Sequence, residues 1–199
     1  MMRRPVIVLS LALLLLAGCS ESTITSELPI AGRVLRPDRM LVHRFQVTPT
    51  GAESGAAKAT PRGEELRVGR LLGDAIAVNL VAELESRGIK AGVARESAPP
   101  ETNTIWIFGR FMHNETPTSS NVIGGFTFGD PLRTRVSVFQ GTGGNLQFIA
   151  QADTATPSSV RPGMAPEAEK AAVDADAKRV AKEGADRIVE FYRKHGFLQ

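Results

Sequence analysis

The sequence predicts an α+β fold in which a single mixed sheet of about five strands carries two helices, packed mainly on one face. Two long segments have apolar residues at helical spacing, and several shorter segments are rich in β-branched and aromatic residues. Their predicted order along the chain is β-α-β-β-β-β-α. The first strand–helix–strand unit can form a parallel pair with a right-handed crossover.

The first strand and the first helix are predicted within residues 40–87. Residues 40–47 are apolar with β-branched and aromatic members, which predicts a strand, and residues 48–63 have the composition of a loop. Residues 64–87 have large apolar side chains every four positions, which predicts an amphipathic helix. Gly69 and Gly73 would allow this helix to lie close to the sheet. The spaced apolar positions are Leu72, Ile76, Leu80 and Leu84.

The middle of the chain predicts a short strand and then a central one. Residues 89–95 form the short strand, and residues 104–112 form a longer strand that is apolar on both faces. Trp106 and Phe108 lie on one of these faces, and Ile105 lies on the other. A strand that is apolar on both faces is typical of the centre of a sheet that is covered on both sides.

A hairpin and a linker are predicted next. Residues 132–140 alternate between apolar and polar side chains, and a Gly-rich turn connects them to residues 145–154. This pattern predicts two antiparallel strands. Residues 156–166 are rich in Pro and Ser, which predicts a linker.

The C-terminal part of the chain predicts a long helix over residues 167–195. Its second half, residues 180–192, has a broad apolar face and is expected to dock on the domain. Its first half is rich in Ala and in charged side chains, so we expect that half to project from the domain or to fray.

Residues 114–130 lack a clear period and separate two predicted strands. Loops of this length are uncommon in compact domains and are often functional or disordered. Two interpretations stay open. Phe126 and Phe128, between glycines, form an exposed binding tip, or the segment is a structural hairpin whose aromatic side chains pack on the sheet. We favour the hairpin.

The N-terminus has the three zones of a secretory signal peptide. Arg3 and Arg4 give a positive start, and the apolar run over residues 6–17 is shorter than the roughly 20 residues of a membrane-spanning helix. The run ends in Leu-Ala-Gly-Cys, which resembles the lipobox of bacterial lipoproteins. The resemblance implies cleavage between Gly18 and Cys19 and attachment of lipid to Cys19. The alternative is an ordinary signal peptide with a chance cysteine.

The chain therefore divides into a signal peptide (residues 1–18), a lipidated tether (residues 19–39) and a single α+β domain (residues 40–199). The tether is polar and contains prolines. By the sorting rule of enterobacterial lipoproteins, Ser20 after the cysteine implies the outer membrane, with the domain facing the periplasm.

Composition argues against nucleic acid as a partner. The formal net charge is +3 before the signal peptide and its two arginines are removed, and the chain has one Trp and one Tyr. Cys19 is the single cysteine, so lipidation leaves no thiol for a disulfide.

Three segments together resemble the bacterial envelope lipoproteins of the domain-of-unknown-function 4410 family. They are Ile105 to Phe111, which contains a Gly between apolar residues, the glycine-rich run Val122 to Gly129, and Arg135 to Phe139. The resemblance covers roughly residues 40–155. It implies a place in the cell envelope and a shared fold, and it implies no activity.

The sequence contains no recognisable catalytic or metal-binding pattern. The histidines are far apart and none has a second ligand at metal spacing. Some acids lie on the first helix or near strand ends, and the serine pairs lie in runs predicted to be flexible. We therefore expect no catalytic residue, no metal and no cofactor. The residues considered are His43, His113, His195, Asp74, Asp130, Asp153, Ser119, Ser120, Ser158 and Ser159.

Two functions remain from different classes. The first is a non-enzymatic module that is anchored by lipid and binds an envelope protein or an assembly. The second is a small-ligand or lipid-binding domain that uses the sheet face opposite the helices. Its binding surface would contain Trp106, Phe108, Phe126 and Phe128. An enzyme is the third and least favoured hypothesis.

Overall fold

A computed structural model describes residues 34, 36–47, 63–95, 100–112, 122–123, 126–127, 131–161 and 163–198. Its elements are β1 (Arg39–Val42), α1 (Gly63–Ser86), β2 (Ala91–Val93), β3 (Thr104–Phe111), β4 (Val122–Ile123), β5 (Phe126–Thr127), β6 (Leu132–Gly141), β7 (Leu146–Thr156) and α2 (Pro166–Lys194). The signal peptide and Cys19 lie outside the described residues.

Five strands form a mixed sheet in the order β2-β1-β3-β6-β7. β1 is parallel to both of its neighbours, while β3, β6 and β7 are antiparallel in turn. The predicted α+β fold and its element order are confirmed. The parallel pairing of β1 with β2 and the central position of β3 are also as predicted.

The hydrophobic core lies between the sheet and the two helices. The apolar positions spaced by four in α1 are all 0 % exposed, and so are Met40, Val42, Ile105 and Ile107 on the facing strands. All of them belong to one hydrophobic cluster. Burying each such side chain contributes about 1.5–3 kcal/mol to folding. Val34, within the segment predicted as tether, is also in this cluster and is 7 % exposed.

α1 lies very close to the chain that follows β1. A Cβ atom at Gly73 would lie 2.4 Å from the backbone oxygen of Phe45, and one at Gly69 would lie 2.8 Å from a methyl group of Val47. The prediction that these glycines permit a close approach of the helix is confirmed.

β1 is shorter than the predicted strand over residues 40–47, because the chain bends after Val42. The backbone continues alongside β3, with His43 N donating to the oxygen of Ile107 at 2.8 Å. The bend brings the ring of Phe45 over Gly109, where a Cβ atom would lie 2.3 Å from the ring. Phe45 thereby fills the core at 4 % exposure.

The first half of α2 packs on the domain, so the expectation that it projects or frays was wrong. Ala172, Val173 and Ala177 are buried. Near the start of α2, both oxygens of Glu169 accept hydrogen bonds from Arg67 of α1, each at 2.8 Å. The hydrogen bond from Arg67 holds the pKa of Glu169 below its ordinary value. Small alanine side chains look weakly hydrophobic in sequence, yet they are buried where two helices meet closely.

β4 and β5 form a separate two-stranded antiparallel sheet, with Ile123 paired to Phe126. The pairing confirms a hairpin at these residues, while the packing of its aromatic side chains on the sheet stays a prediction. The side chain of Phe126 and the whole of Phe128 lie outside the described residues, so the predicted binding tip stays a prediction. In the part of the chain that the structure describes, no helix is long and apolar enough to span a bilayer.

Candidate functional site

The sheet face away from the core carries a row of aromatic rings. The register places Trp106 of β3 opposite Phe139 of β6, and Phe139 opposite Phe148 of β7. His43 stacks on Phe108, with ring centroids 4.2 Å apart and an interplanar angle of 11°. The edge-to-face pairs Phe108–Phe139 and Phe139–Phe148 both have centroids 5.4 Å apart.

The structure therefore places Trp106 and Phe108, two of the four predicted surface residues, on the same face and joins them through His43. The ring of His43 is also stacked on that of Trp106, at 5.3 Å. Sequence reasoning missed His43, Phe139 and Phe148 as members of this row. The alternation of side chains along the strands was visible in the sequence. The register that aligns these three residues across the sheet was not. Trp106 is only 2 % exposed, so its ring is already packed.

The same face becomes charged towards the other end of β3 and β6. Arg110 lies opposite Arg135 in the register, and like charges in this arrangement repel. Asp153 of β7 relieves the repulsion, since both of its oxygens accept hydrogen bonds from Arg135 at 2.7 Å. Asp153, which the sequence analysis placed near a strand end, is therefore engaged in a bidentate ion pair.

Of the two other acids considered from the sequence, the structure describes Asp74 alone. Asp74 pairs with Arg44 at 3.1 Å on the surface, and Asp130 lies outside the described residues. Within the described ranges, no group of three or more His, Cys, Asp or Glu side chains could hold a metal ion.

A buried acid that the sequence analysis missed lies on α2. Asp176 is 0 % exposed and accepts hydrogen bonds from the hydroxyl of Ser158, at 3.0 Å, and from the backbone N–H of Ser159, at 2.8 Å. Arg179 donates to the same carboxylate. The segment containing Ser158 and Ser159 was expected to be flexible, and the structure instead ties it to α2. Because Asp176 lies between Val173 and Val180 at helical spacing, the sequence pattern already placed it on the apolar face.

An apolar groove of about 30 Å³ lies between α2 and the strands β6 and β7. The charged residues Arg187, Glu190 and Lys194 of α2 also line it. The apolar lining consists of Val136, Val138, Ala150, Ala152, Ile188 and Phe191. Among the described residues, β7 is the last strand of the sheet.

A second apolar surface, which we name the α1 stripe, is exposed on the other helix. It consists of Leu71, Ala75, Val78 and Ala82, which share one helix face by their spacing. Leu71 is 46 % exposed and Val78 is 60 % exposed. α1 packs over the β1–β2 side of the sheet and α2 over the β7 side. The groove and the stripe therefore belong to different sides of the domain.

Comparisons with known proteins give only distant structural matches. No family model and no curated protein matches the chain. The PelC dodecamer from Paraburkholderia phytofirmans has a TM-score of 0.36 and 11 % identity, over 82 % of this chain and 96 % of that chain. A DUF330 protein from Xanthomonas campestris has a TM-score of 0.42 and 16 % identity, over 88 % of this chain and 96 % of that chain. Matches at this level assign no function, and the resemblance to family 4410 stays a prediction.

Proposed function

We propose that the chain is a non-enzymatic assembly module of the bacterial cell envelope. It is anchored by lipid on Cys19, and its α2–β7 groove receives the α1 stripe of a second copy. The observation that carries the proposal is the presence of two apolar surfaces on different sides of one domain, an exposed stripe on a convex helix and a small concave groove whose lining is largely buried. Large apolar side chains grouped on a surface mark sites of association.

The geometry favours head-to-tail association. The groove and the stripe are different surfaces, so each copy can offer its stripe to one neighbour and its groove to another. Such heterologous contacts build closed rings or open filaments.

The anchor and its place are part of the proposal. The Leu-Ala-Gly-Cys motif supports lipidation of Cys19, and Ser20 supports the outer membrane with the domain in the periplasm. A membrane anchor confines copies to one surface, which raises their effective concentration for a weak contact.

Engineered cysteines provide a direct test, because Cys19 is the single cysteine and its thiol is consumed by lipid. We expect the double variant Val78→Cys with Ala152→Cys to form a ladder of disulfide-linked oligomers on non-reducing gels of whole cells. Each single variant should give no species larger than a dimer. The matched control replaces the stripe position by Lys178→Cys, on the exposed face of α2, and should give no ladder.

The outcomes separate the possible partners. A double variant that stays monomeric under oxidation contradicts self-assembly. Crosslinks from Ala152→Cys to a different envelope protein, without a ladder, would replace the second copy by that protein. Purified protein with Val78→Ser should show a smaller mass by light scattering than the parent.

The second candidate, a ligand-binding domain on the aromatic face, is favoured by the stacking of Trp106, His43 and Phe108. Trp106 is buried, so a ligand would have to displace packed rings. This candidate is therefore less favoured than the assembly function. Trp106 is the single Trp, so its fluorescence should change when lipid or cell-wall fragments bind there. Titrations without any change would exclude this candidate.

A further inference from the structure

A cavity of about 190 Å³ lies where the predicted tether reaches the domain. Residues 36–39, the last residues of that tether, line it together with residues around the C-terminal ends of α1 and α2. Its volume is far above the roughly 10–15 Å³ that one water needs. It is below the roughly 300–1,000 Å³ of pockets that hold drug-sized ligands. The cavity therefore has room for a small polar group.

Three of the four charged residues in the lining are basic. They are Arg36, Arg39 and Lys90, and Asp38 is the acid. Arg39 pairs with Glu101 at the surface. In the part of the chain that the structure describes, Arg36, Asp38 and Lys90 make no ion pair. Arg36 and Lys90 are also exposed, so their long side chains can turn toward a group that enters the cavity.

The rest of the lining is mainly apolar. Met40 and Tyr192 are 0 % exposed, and Phe197 and Leu198 are partly buried against the core. Apolar walls of low dielectric constant focus the field of nearby charges and raise the local concentration of counter-ions. The excess of basic residues therefore makes the cavity attractive to an anion.

The ends of α1 and α2 oppose this field only weakly. Helix C-termini carry partial negative charge on carbonyl groups that lack partners. Each of these helices is followed by a glycine at positive φ, Gly88 or Gly196. Their N–H groups donate to the oxygens of Glu85 at 2.9 Å and of Arg193 at 3.0 Å. The residue after each glycine donates to a further carbonyl of its helix, so the last turns are capped.

Phosphate suits both the lining and its place in the chain. Guanidinium and ammonium groups bind phosphate through charge-assisted hydrogen bonds. The cavity lies at the end of the tether, and a chain anchored through Cys19 meets the membrane at the other end of that tether. Anionic lipids attract basic residues that lie near the membrane surface.

We infer that this cavity binds the phosphate group of an anionic lipid headgroup, with Arg36 and Lys90 as its cationic ligands. The inference goes beyond the proposed assembly function, since it uses neither the groove nor the α1 stripe. Only the choice of a lipid as the source of the phosphate rests on the proposed anchor.

Saturation-transfer NMR on the purified full chain in a nonionic detergent tests the site. The probe is glycerophosphoglycerol, the headgroup of phosphatidylglycerol without its acyl chains, and the zwitterionic control is glycerophosphocholine. We expect saturable binding of glycerophosphoglycerol, tighter than that of the control and weaker at high salt, because salt screens the charges. Inorganic phosphate should displace the probe, since it presents the same group to the same cations.

Charge variants of the lining should have effects of opposite sign. Arg36→Gln and Lys90→Gln should each weaken binding roughly fivefold, which corresponds to about 1 kcal/mol for two unit charges about 4 Å apart in water. Asp38→Asn should strengthen binding by a similar factor, because it removes the acid of the lining. The matched control Lys178→Gln, on the exposed face of α2, should leave it unchanged. No saturable binding, no competition by phosphate, or weaker binding by Asp38→Asn would each overturn the inference.

Vesicles distinguish a lipid headgroup from free phosphate. The full chain bearing its lipid is placed on vesicles of phosphatidylcholine, with or without phosphatidylglycerol, in phosphate-free buffer, and its lysines are acetylated with acetic anhydride. We expect phosphatidylglycerol to slow the acetylation of Lys90 relative to that of Lys178. An unchanged ratio of the two rates would overturn the lipid headgroup as the occupant. The NMR titration does not need the anchor on Cys19, so failure of the site and failure of the proposed function are distinguishable.

Discussion

Asp176 shows how one residue fixes the connection between β7 and α2. Its carboxylate is fully buried and accepts hydrogen bonds from a hydroxyl, a backbone N–H and a guanidinium. A buried carboxylate is costly unless such partners surround it. The segment after β7 supplies Ser158 and Ser159 as partners, so the burial of the acid and the order of the segment depend on each other.

Replacing Asp176 by Ala should destabilise the domain by about 2–4 kcal/mol, because it leaves the donors of Ser158 and Ser159 unsatisfied. Asp176→Asn keeps an acceptor oxygen and should cost less. Arg179→Ala removes a cation from this buried carboxylate but leaves the two serine donors in place, so it should cost less than Asp176→Ala. Urea unfolding of the three variants measures the order of their losses in the free energy of unfolding. Equal losses for Asp176→Ala and Arg179→Ala would contradict a buried hydrogen-bonding role.

At the scale of elements, two glycines determine how closely α1 lies to the chain that follows β1. They differ in how well they tolerate an added side chain. At Gly73 an added Cβ would meet a backbone oxygen of Phe45, which cannot rotate away. At Gly69 it would meet a methyl group of Val47, a stiff β-branched side chain that can still shift more readily than a backbone oxygen. The same substitution at these two positions therefore separates helix propensity from packing.

Gly73→Ala should destabilise the protein by about 1–3 kcal/mol, because the overpacking outweighs the roughly 1 kcal/mol that Ala gains over Gly inside a helix. Gly69→Ala, the matched control on the same helix, should lie within about 1 kcal/mol of the parent. Thermal melts monitored by circular dichroism measure the stability of both variants. A Gly73→Ala protein that is more stable than the parent would show that the helix can move away without loss.

The elements also show what could be predicted from the sequence. The four-residue spacing in α1 and the alternation in β6 are local patterns, and they gave both elements almost to the residue. The docking of the first half of α2 was missed, because it depends on Arg67, which lies far away in sequence from Glu169. The aromatic row and the groove need strand register and the packing of α2 on the sheet, which no local pattern contains.

For the whole molecule, the proposed lipid anchor would determine how far the domain can move and how often copies meet. Val34 is part of the core, so the segment from residue 20 to residue 33 can extend at most roughly 50 Å. Cys19 with two or more acyl chains would not leave the membrane readily, whereas one chain binds only marginally. Under this proposal, copies on tethers of this reach would search a thin layer above the membrane instead of the whole periplasm.

Cys19→Ala should therefore change both location and assembly. We expect this variant to accumulate as an uncut precursor or to appear in the soluble fraction, and to lose incorporation of labelled palmitate. Introduced beside Val78→Cys and Ala152→Cys, it should shorten the disulfide ladder, because the contact loses the concentration that the membrane provides. Ser20→Asp keeps the anchor and should move the protein to the inner membrane on a density gradient while the ladder persists. A Cys19→Ala protein that is still processed and membrane-bound would show that lipid on this residue is not the anchor.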